Sequence, residues 1–239
     1  MSQTKMMENP DPRWKDLYRI GGIASILVAA SLVFAIVAYF IWPFKPGLTT
    51  TESIFLALHT DRLGGLMSLD LPFPIIVLFN ILPWLALFVA LKRTNESHAL
   101  IALVLGLVAA LLLLPSRPLA ELVSLSDKYA AATTEAERLH YLSAGESLHA
   151  LFNGTTWMMY TVLNSISTLI FTWLMLRSGL FGKMTAYMGI VSAIGAQGVF
   201  IPVIGPILSL LATFGGILWS ILIALDFFKL GRQLQAQSK

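Results

Sequence analysis

The chain has 239 residues, 56% of them hydrophobic and only 12% charged, with a formal net charge of +3 and no cysteine. A soluble domain carries about 25% charged residues, whereas residues 147–176 and 184–225 of this chain carry none, so it reads as an integral membrane protein. The lack of cysteine excludes disulfide exchange, thiolate metal sites and thiol nucleophiles. The basic balance sits in flanks and loops, which points to membrane topology rather than to nucleic acid.

A hydrocarbon core about 30 Å thick needs about 20 apolar residues per helix, and on that scale six helices are predicted. The first covers residues 18–42 and is ended by Pro43 and Pro46. It is too long, and lacks the small-residue cleavage pattern, for a cleavable signal. Residues 51–66 place Ile54, Phe55, Leu56 and Leu58 beside polar neighbours, the pattern of a short helix lying on the outer interface. The second helix covers 71–91, and Pro72, Pro74 and Pro83 are expected to bend it. The third covers 98–114, ended by Pro115, and from Ala99 onward it has no polar side chain. It should be the most lipid-exposed helix or one turned to a partner. Residues 124–147 are acidic, with Asp127, Glu135, Glu137 and Glu146. Thr134 and Glu137 fit a capping box, so a helix should begin there and run on into the fourth membrane helix, which ends at Arg177. The apolar run after Lys183 divides at Pro202, Gly205 and Pro206 into a fifth helix over 184–200 and a sixth over 207–225.

The expected fold is all-α: a polytopic transmembrane bundle of six helices with an acidic external helical extension before the fourth. Residues 1–17 would form an N-terminal segment, 18–228 the membrane domain and 229–239 a tail. Lys5, Arg13, Lys15, Arg19, Lys92, Arg93, Arg177, Lys183, Lys229, Arg232 and Lys239 fall on one side, against Lys45, Arg62, Arg117, Lys128 and Arg138 on the other. Eleven against five places both termini in the cytoplasm by the positive-inside rule. Two rows of small residues at spacing four, Gly21-Ser25-Ala29 and Ala212-Gly216-Ser220-Ala224, suit close helix packing within the bundle or in a homo-oligomer.

The fourth helix carries Glu146, His149, Asn153, Thr156, Tyr160, Asn164 and Ser167 within an arc of roughly 80° at about 100° per residue. In a membrane such a stripe must face something other than lipid. At 1.5 Å per residue, Asn164, Asn80 and Gln197 lie about 20, 18 and 21 Å from their basic anchors. Three amides thus share one level, where each needs a hydrogen-bonding partner. With Tyr160 and Ser167 they are the candidate ligand-binding set, unless they serve only as interhelical links. Asp70, Glu146, His149 and Asn153 lie further out, as a candidate external mouth. No tight metal-binding motif is present. His140 and His149 fall on opposite helix faces, which argues against haem between helices, and no cofactor is indicated. Ser167, Ser192 and Ser220 have no base nearby in sequence, so serine catalysis has little support.

The runs "YRIGGI" at 18–23, "LSDKYAAATTEAERLHYLSAGESLHALFNGT" at 125–155 and "FGKMTAYMGI" at 181–190 resemble a bacterial multi-pass family known only as a domain of unknown function. The resemblance implies a six-helix bacterial inner-membrane protein and brings no activity, ligand or site residue. The leading functional expectation is a non-enzymatic protein. It would bind a lipophilic or small polar ligand, or a membrane partner, in a groove between the second, fourth and fifth helices, with transport as one version. Two alternatives stay open: an intramembrane enzyme acting on a lipid-like substrate from the outer side, and a structural subunit of a membrane complex.

Overall fold

The computed structural model describes residues 12–42 and 50–237, and there it is helical with no strand. Lys5, Pro43, Lys45, Pro46 and Lys239, which enter the topology and helix-end expectations, lie outside the described residues. The helices are α1 (Lys15–Ile41), α2 (Thr51–Thr60), α3 (Arg62–Ser68), α4 (Pro72–Leu91), α5 (Glu96–Leu113), α6 (Leu119–Ala131), α7 (Glu135–His149), α8 (Thr155–Ser178), α9 (Lys183–Ala196) and α10 (Gly205–Gln237). Five helical stretches among them are long and apolar enough to cross a membrane, so the class expected from composition holds.

The chain folds as two compact units. One comprises the described parts of residues 1–32, 76–110 and 161–239. Its helical segments pack as a closed ring, each against the next. Gly21 of α1 is so close to α4 that a Cβ there would lie 2.6 Å from the Ala86 side chain. Gly106 of α5 lies against Trp84 of α4, and Ser167 Oγ of α8 donates 2.6 Å to the Ala102 carbonyl of α5. Gly189 of α9 is pressed against Thr172 of α8, and Ser192 Oγ donates 3.0 Å to the Ala212 carbonyl of α10. Phe227 of α10 stacks on Tyr18 of α1 at 6.1 Å and closes the ring. Small residues allow these approaches because no Cβ or only a short side chain stands between the backbones. Both predicted small-residue rows face inward, with Ser25, Ala29, Ala212, Ser220 and Ala224 all buried.

Two expectations about the apolar helices change. Pro72 and Pro74 lie in the first turn of α4, where a missing N–H removes no intrahelical bond, so only Pro83 is a helix-interior proline. The apolar third helix is not the most exposed. Of its most apolar stretch 44% is buried, against 33% for α1 and α10, because Ala99, Ala102, Ala109 and Ala110 turn one face of α5 into the protein.

The other unit comprises the described parts of 33–75 and residues 111–160. Its core is Ile54, Phe55, Leu58, Leu69, Leu122 and Phe152. The stretch expected to lie on an interface is instead two helices, α2 and α3, and the apolar stripe of α2 is buried against α6. Asp61 separates them, and its Oδ1 accepts from Gly64 N at 3.0 Å to cap α3. The capping box read from the sequence is present: Glu137 N donates to Thr134 Oγ1, and Thr134 N donates to Glu137 Oε2, both at 3.2 Å. Gly145 of α7 lies hard against Phe55, so only a residue without a side chain fits there. The helix begun at Thr134 does not continue unbroken. α7 ends at His149, a 3-10 turn covers Ala150–Asn153, and Gly154 is extended at φ −80°, ψ −175°. The seven-residue stripe therefore belongs to two helices, and its shared arc does not carry across the break.

Candidate functional site

Asp70 occupies a position at which the backbone favours glycine. α3 ends with Leu69 as its last half-helical residue. Leu71 N donates to Leu66 O and Asp70 N to Met67 O, each at 3.1 Å. This pairing is the Schellman helix end, whose following residue is left-handed and usually glycine. Asp70 takes that place with φ +67°. An aspartate there costs more backbone strain than glycine would, so the side chain must account for its presence.

That side chain meets Arg117. The chain 114–118 is a 3-10 turn, Leu114–Ser116, followed by Arg117 and Pro118. Pro115 and Pro118 keep α5 from continuing and turn Arg117 inward. Its side chain is 2% exposed and that of Asp70 25%. Arg117 Nε and Nη2 both donate to Asp70 Oδ2 at 3.3 Å. Nη1 donates to the carbonyls of Ser116 at 3.0 Å and Phe152 at 3.2 Å, and to Ser116 Oγ at 3.2 Å. Aromatic rings surround the guanidinium: its carbon lies 4.4 Å from the Trp157 ring, 5.1 Å from Phe152 and 5.9 Å from Phe73. Rings with negative faces favour a desolvated cation. Tyr160 completes the box, stacked on Trp157 at 5.6 Å and edge-on to Phe73 at 5.7 Å. Burial holds the Asp70 carboxyl up at about 6, with the nearby Arg117 charge and hydrogen bond pulling the other way. The cluster ties together the start of α4, the turn after α5 and the turn leading into α8. Its centre is a buried cation that donates to the Asp70 carboxylate, to the Ser116 hydroxyl and to two backbone carbonyls.

The remaining residues of the expected mouth are not gathered here. The Glu146 side chain is exposed and has no hydrogen bond or ion pair with a described residue. His149 is half-buried with its ring 6.1 Å from Phe152, and burial rather than a partner surrounds it. Asn153 is exposed. Among the described residues no three His, Asp or Glu side chains come close enough together to hold a metal ion.

The amides of the other unit are used locally. Asn80 Nδ2 donates 3.2 Å to the Ile76 carbonyl of its own helix. Gln197 Nε2 donates to the Thr161 carbonyl at 3.3 Å and to Ser165 Oγ at 2.5 Å, linking the turn after α9 to α8. Asn164 is half-buried and its side chain makes no hydrogen bond with a described residue. The three amides share a depth by sequence and do not bond one another.

A cleft of about 420 Å³ opens in the second unit between α2 and α6. Phe55 and Leu56 supply apolar wall, with Glu52, His59, Tyr129 and Arg138 around it. Tyr129 Oη donates 2.9 Å to Glu52 Oε1 across the cleft. Ser126 Oγ donates 2.8 Å to the buried Phe55 carbonyl and holds the two helices in register. Sequence reasoning misses both this cleft and the role of Arg117. The signal for Arg117 is an arginine between two prolines directly after an apolar helix, with Phe152 and Trp157 nearby in the later sequence.

No family model, no curated protein and no solved structure matches this chain.

Proposed function

We propose that the chain is a six-span protein of a bacterial inner membrane with both termini cytoplasmic, and that it binds rather than catalyses. An outer helical cap made of α2, α3, α6 and α7 would take a small amphipathic ligand in the cleft between α2 and α6. The observation that carries this is the cleft itself. Its volume of about 420 Å³ falls in the range of small-molecule sites, about 300–1,000 Å³, and it has the mixture of apolar wall and few polar groups that such sites use.

Several features support the placement. The eleven-to-five distribution of Lys and Arg supports cap helices on the outer side. Lys92 lies 5.2 Å over Trp14 and Arg177 4.1 Å over Trp173 on the basic side, where aromatic and cationic anchors concentrate. The 14 residues of α9 with the following 3-10 turn Gln197–Phe200 would make the short sixth crossing of this proposal. Asp70 is engaged by Arg117 and is not shared with Glu146 or His149, so an outer-face enzyme has less support.

Ala130 is exposed at the cleft, and Ala130→Trp would fill it. The test is purification of both proteins from native membranes in mild detergent, with mass spectrometry of what remains bound. A small molecule retained by the wild type and reduced at least about tenfold, or about 1.4 kcal/mol, in Ala130→Trp supports the reading. Identical retention at unchanged melting temperature refutes it. The groove between α4, α8 and α9 is the second reading, favoured by the unpartnered Asn164. Loss of the molecule in Asn164→Leu but not in Ala130→Trp would move the site there.

A further inference from the structure

A second cleft, of about 530 Å³, lies between the beginning of α1 and the end of α10, lined by Lys15, Asp16, Arg19, Phe228, Gly231 and Arg232. Lys15 and Arg19 are four residues apart and share one face of α1, and Phe228 and Arg232 share one face of α10. Three cations face one carboxylate, and none of Lys15, Arg19 or Arg232 forms an ion pair with a described residue. The cleft is also where both helices change character. The charge-free run 184–225 gives way to Asp226, Lys229 and Arg232, and the apolar run of α1 begins after Arg19. That change marks the headgroup level of a bilayer. Each stripe continues toward the bilayer as exposed aliphatic side chains: Ile23 and Leu27 below Arg19, and Leu225, Ile221 and Leu218 below Phe228.

We infer that this cleft is a binding site for the phosphate headgroup of an anionic phospholipid, whose acyl chains lie along the exposed aliphatic stripes of α1 and α10. The inference rests on the membrane-spanning character of the two helices and not on the cap cleft. Basic pockets between membrane helices recognise such headgroups through paired cations. An inorganic phosphate would meet the same cations, but the aliphatic stripes would give it nothing. Asp16 at the rim disfavours a zwitterionic headgroup less than an anionic one, so the selectivity must come from the three cations. Gly231 forms part of the cleft, and a Cβ added there meets nothing within 4 Å, so a larger residue can occupy the space without disturbing the packing.

The test uses the protein in detergent micelles doped with phosphatidylglycerol, with phosphatidylcholine, or supplied with inorganic phosphate alone. Lipid binding is read by native mass spectrometry and by the shift in melting temperature. The wild type should retain phosphatidylglycerol in preference to phosphatidylcholine. Arg19→Gln/Arg232→Gln should bind it roughly 25-fold more weakly, at about fivefold per cation removed. Gly231→Leu should also weaken binding with every charge in place, which a general surface attraction would not do. Equal retention of the two lipids refutes the inference, as does a stabilisation by inorganic phosphate that matches the lipid. So does unchanged binding in both variants while they melt like the wild type without lipid.

Discussion

Replacing Asp70 with asparagine separates two accounts of the buried ion pair. Breaking a fully buried pair costs 3–5 kcal/mol because the surviving charge is orphaned. The geometry here argues for far less. Both Arg117 donors converge on a single oxygen at 3.3 Å, longer than the 2.7–2.9 Å typical of charge-assisted bonds. The amide of the Asp70→Asn variant would still offer a carbonyl oxygen. The Ser116 and Phe152 carbonyls and the Trp157 ring remain in place around the guanidinium. The Asp70 side chain is one-quarter exposed, so water shares its solvation. Asp70→Asn should therefore lie within about 1 kcal/mol of the wild type at pH 7, as for the exchange of a long charged hydrogen bond for a neutral one. The pH dependence gives a second reading of the same variant. The carboxyl sits at about 6 in the folded protein against an ordinary 3.8, so the folded state takes up the proton first as pH falls. The contribution of this group is full below about 4, is lost as pH rises through about 6, and is flat above that. The wild type should gain stability relative to Asp70→Asn between pH 7 and 4.5. Equilibrium unfolding in mixed micelles, followed by tryptophan emission, measures both. A loss of 3 kcal/mol or more at pH 7, or a gap that closes in the opposite direction on acidification, would refute the reasoning.

Three further outcomes follow from other contacts. Asp70→Gly should be more stable than Asp70→Ala by about 1 kcal/mol, since only the backbone at φ +67° distinguishes them; the same unfolding assay compares the two. Thr134→Ala should lose about 1 kcal/mol with the cap of α7, and amide hydrogen exchange should speed up in the first turn of that helix before it does elsewhere. Ser167→Ala removes the 2.6 Å bond between α8 and α5 and should cost about 0.6 kcal/mol, typical of an interhelical link in a membrane protein. A cost above about 2 kcal/mol would show that the hydroxyl does more than link the helices.

The parts legible in the sequence are those with short-range causes. Thr134 and Glu137 announce their helix start because a capping box needs only four residues. The rows through Gly21 and Ala212 announce buried faces because spacing four is a property of one helix. Depth along a helix places Asn80, Asn164 and Gln197 at one level, but the rotation of each helix decides what a side chain meets. Gln197 turns to Ser165 and Asn80 to its own helix. The break at Gly154 is hidden, since no proline marks it and a glycine in an apolar helix is ordinary in membranes. Asp70 stands out in the sequence as a candidate acid, but its company there is the wrong one. Its partner is 47 residues away, and in the sequence Arg117 counts only as a charge for topology. A left-handed aspartate at a helix end gives no warning in sequence, because that position is usually flagged by glycine.

The closure of the ring by Tyr18 and Phe227 sets an order of assembly. Gly21 fits between Ala86 of α4 and Phe227 of α10, so its first neighbour is made well before its second. Until α10 enters the bilayer, one flank of α1 has lipid where it will later have protein. α10 is the keystone of this ring, and without it α1 would be left with an open seam along one flank.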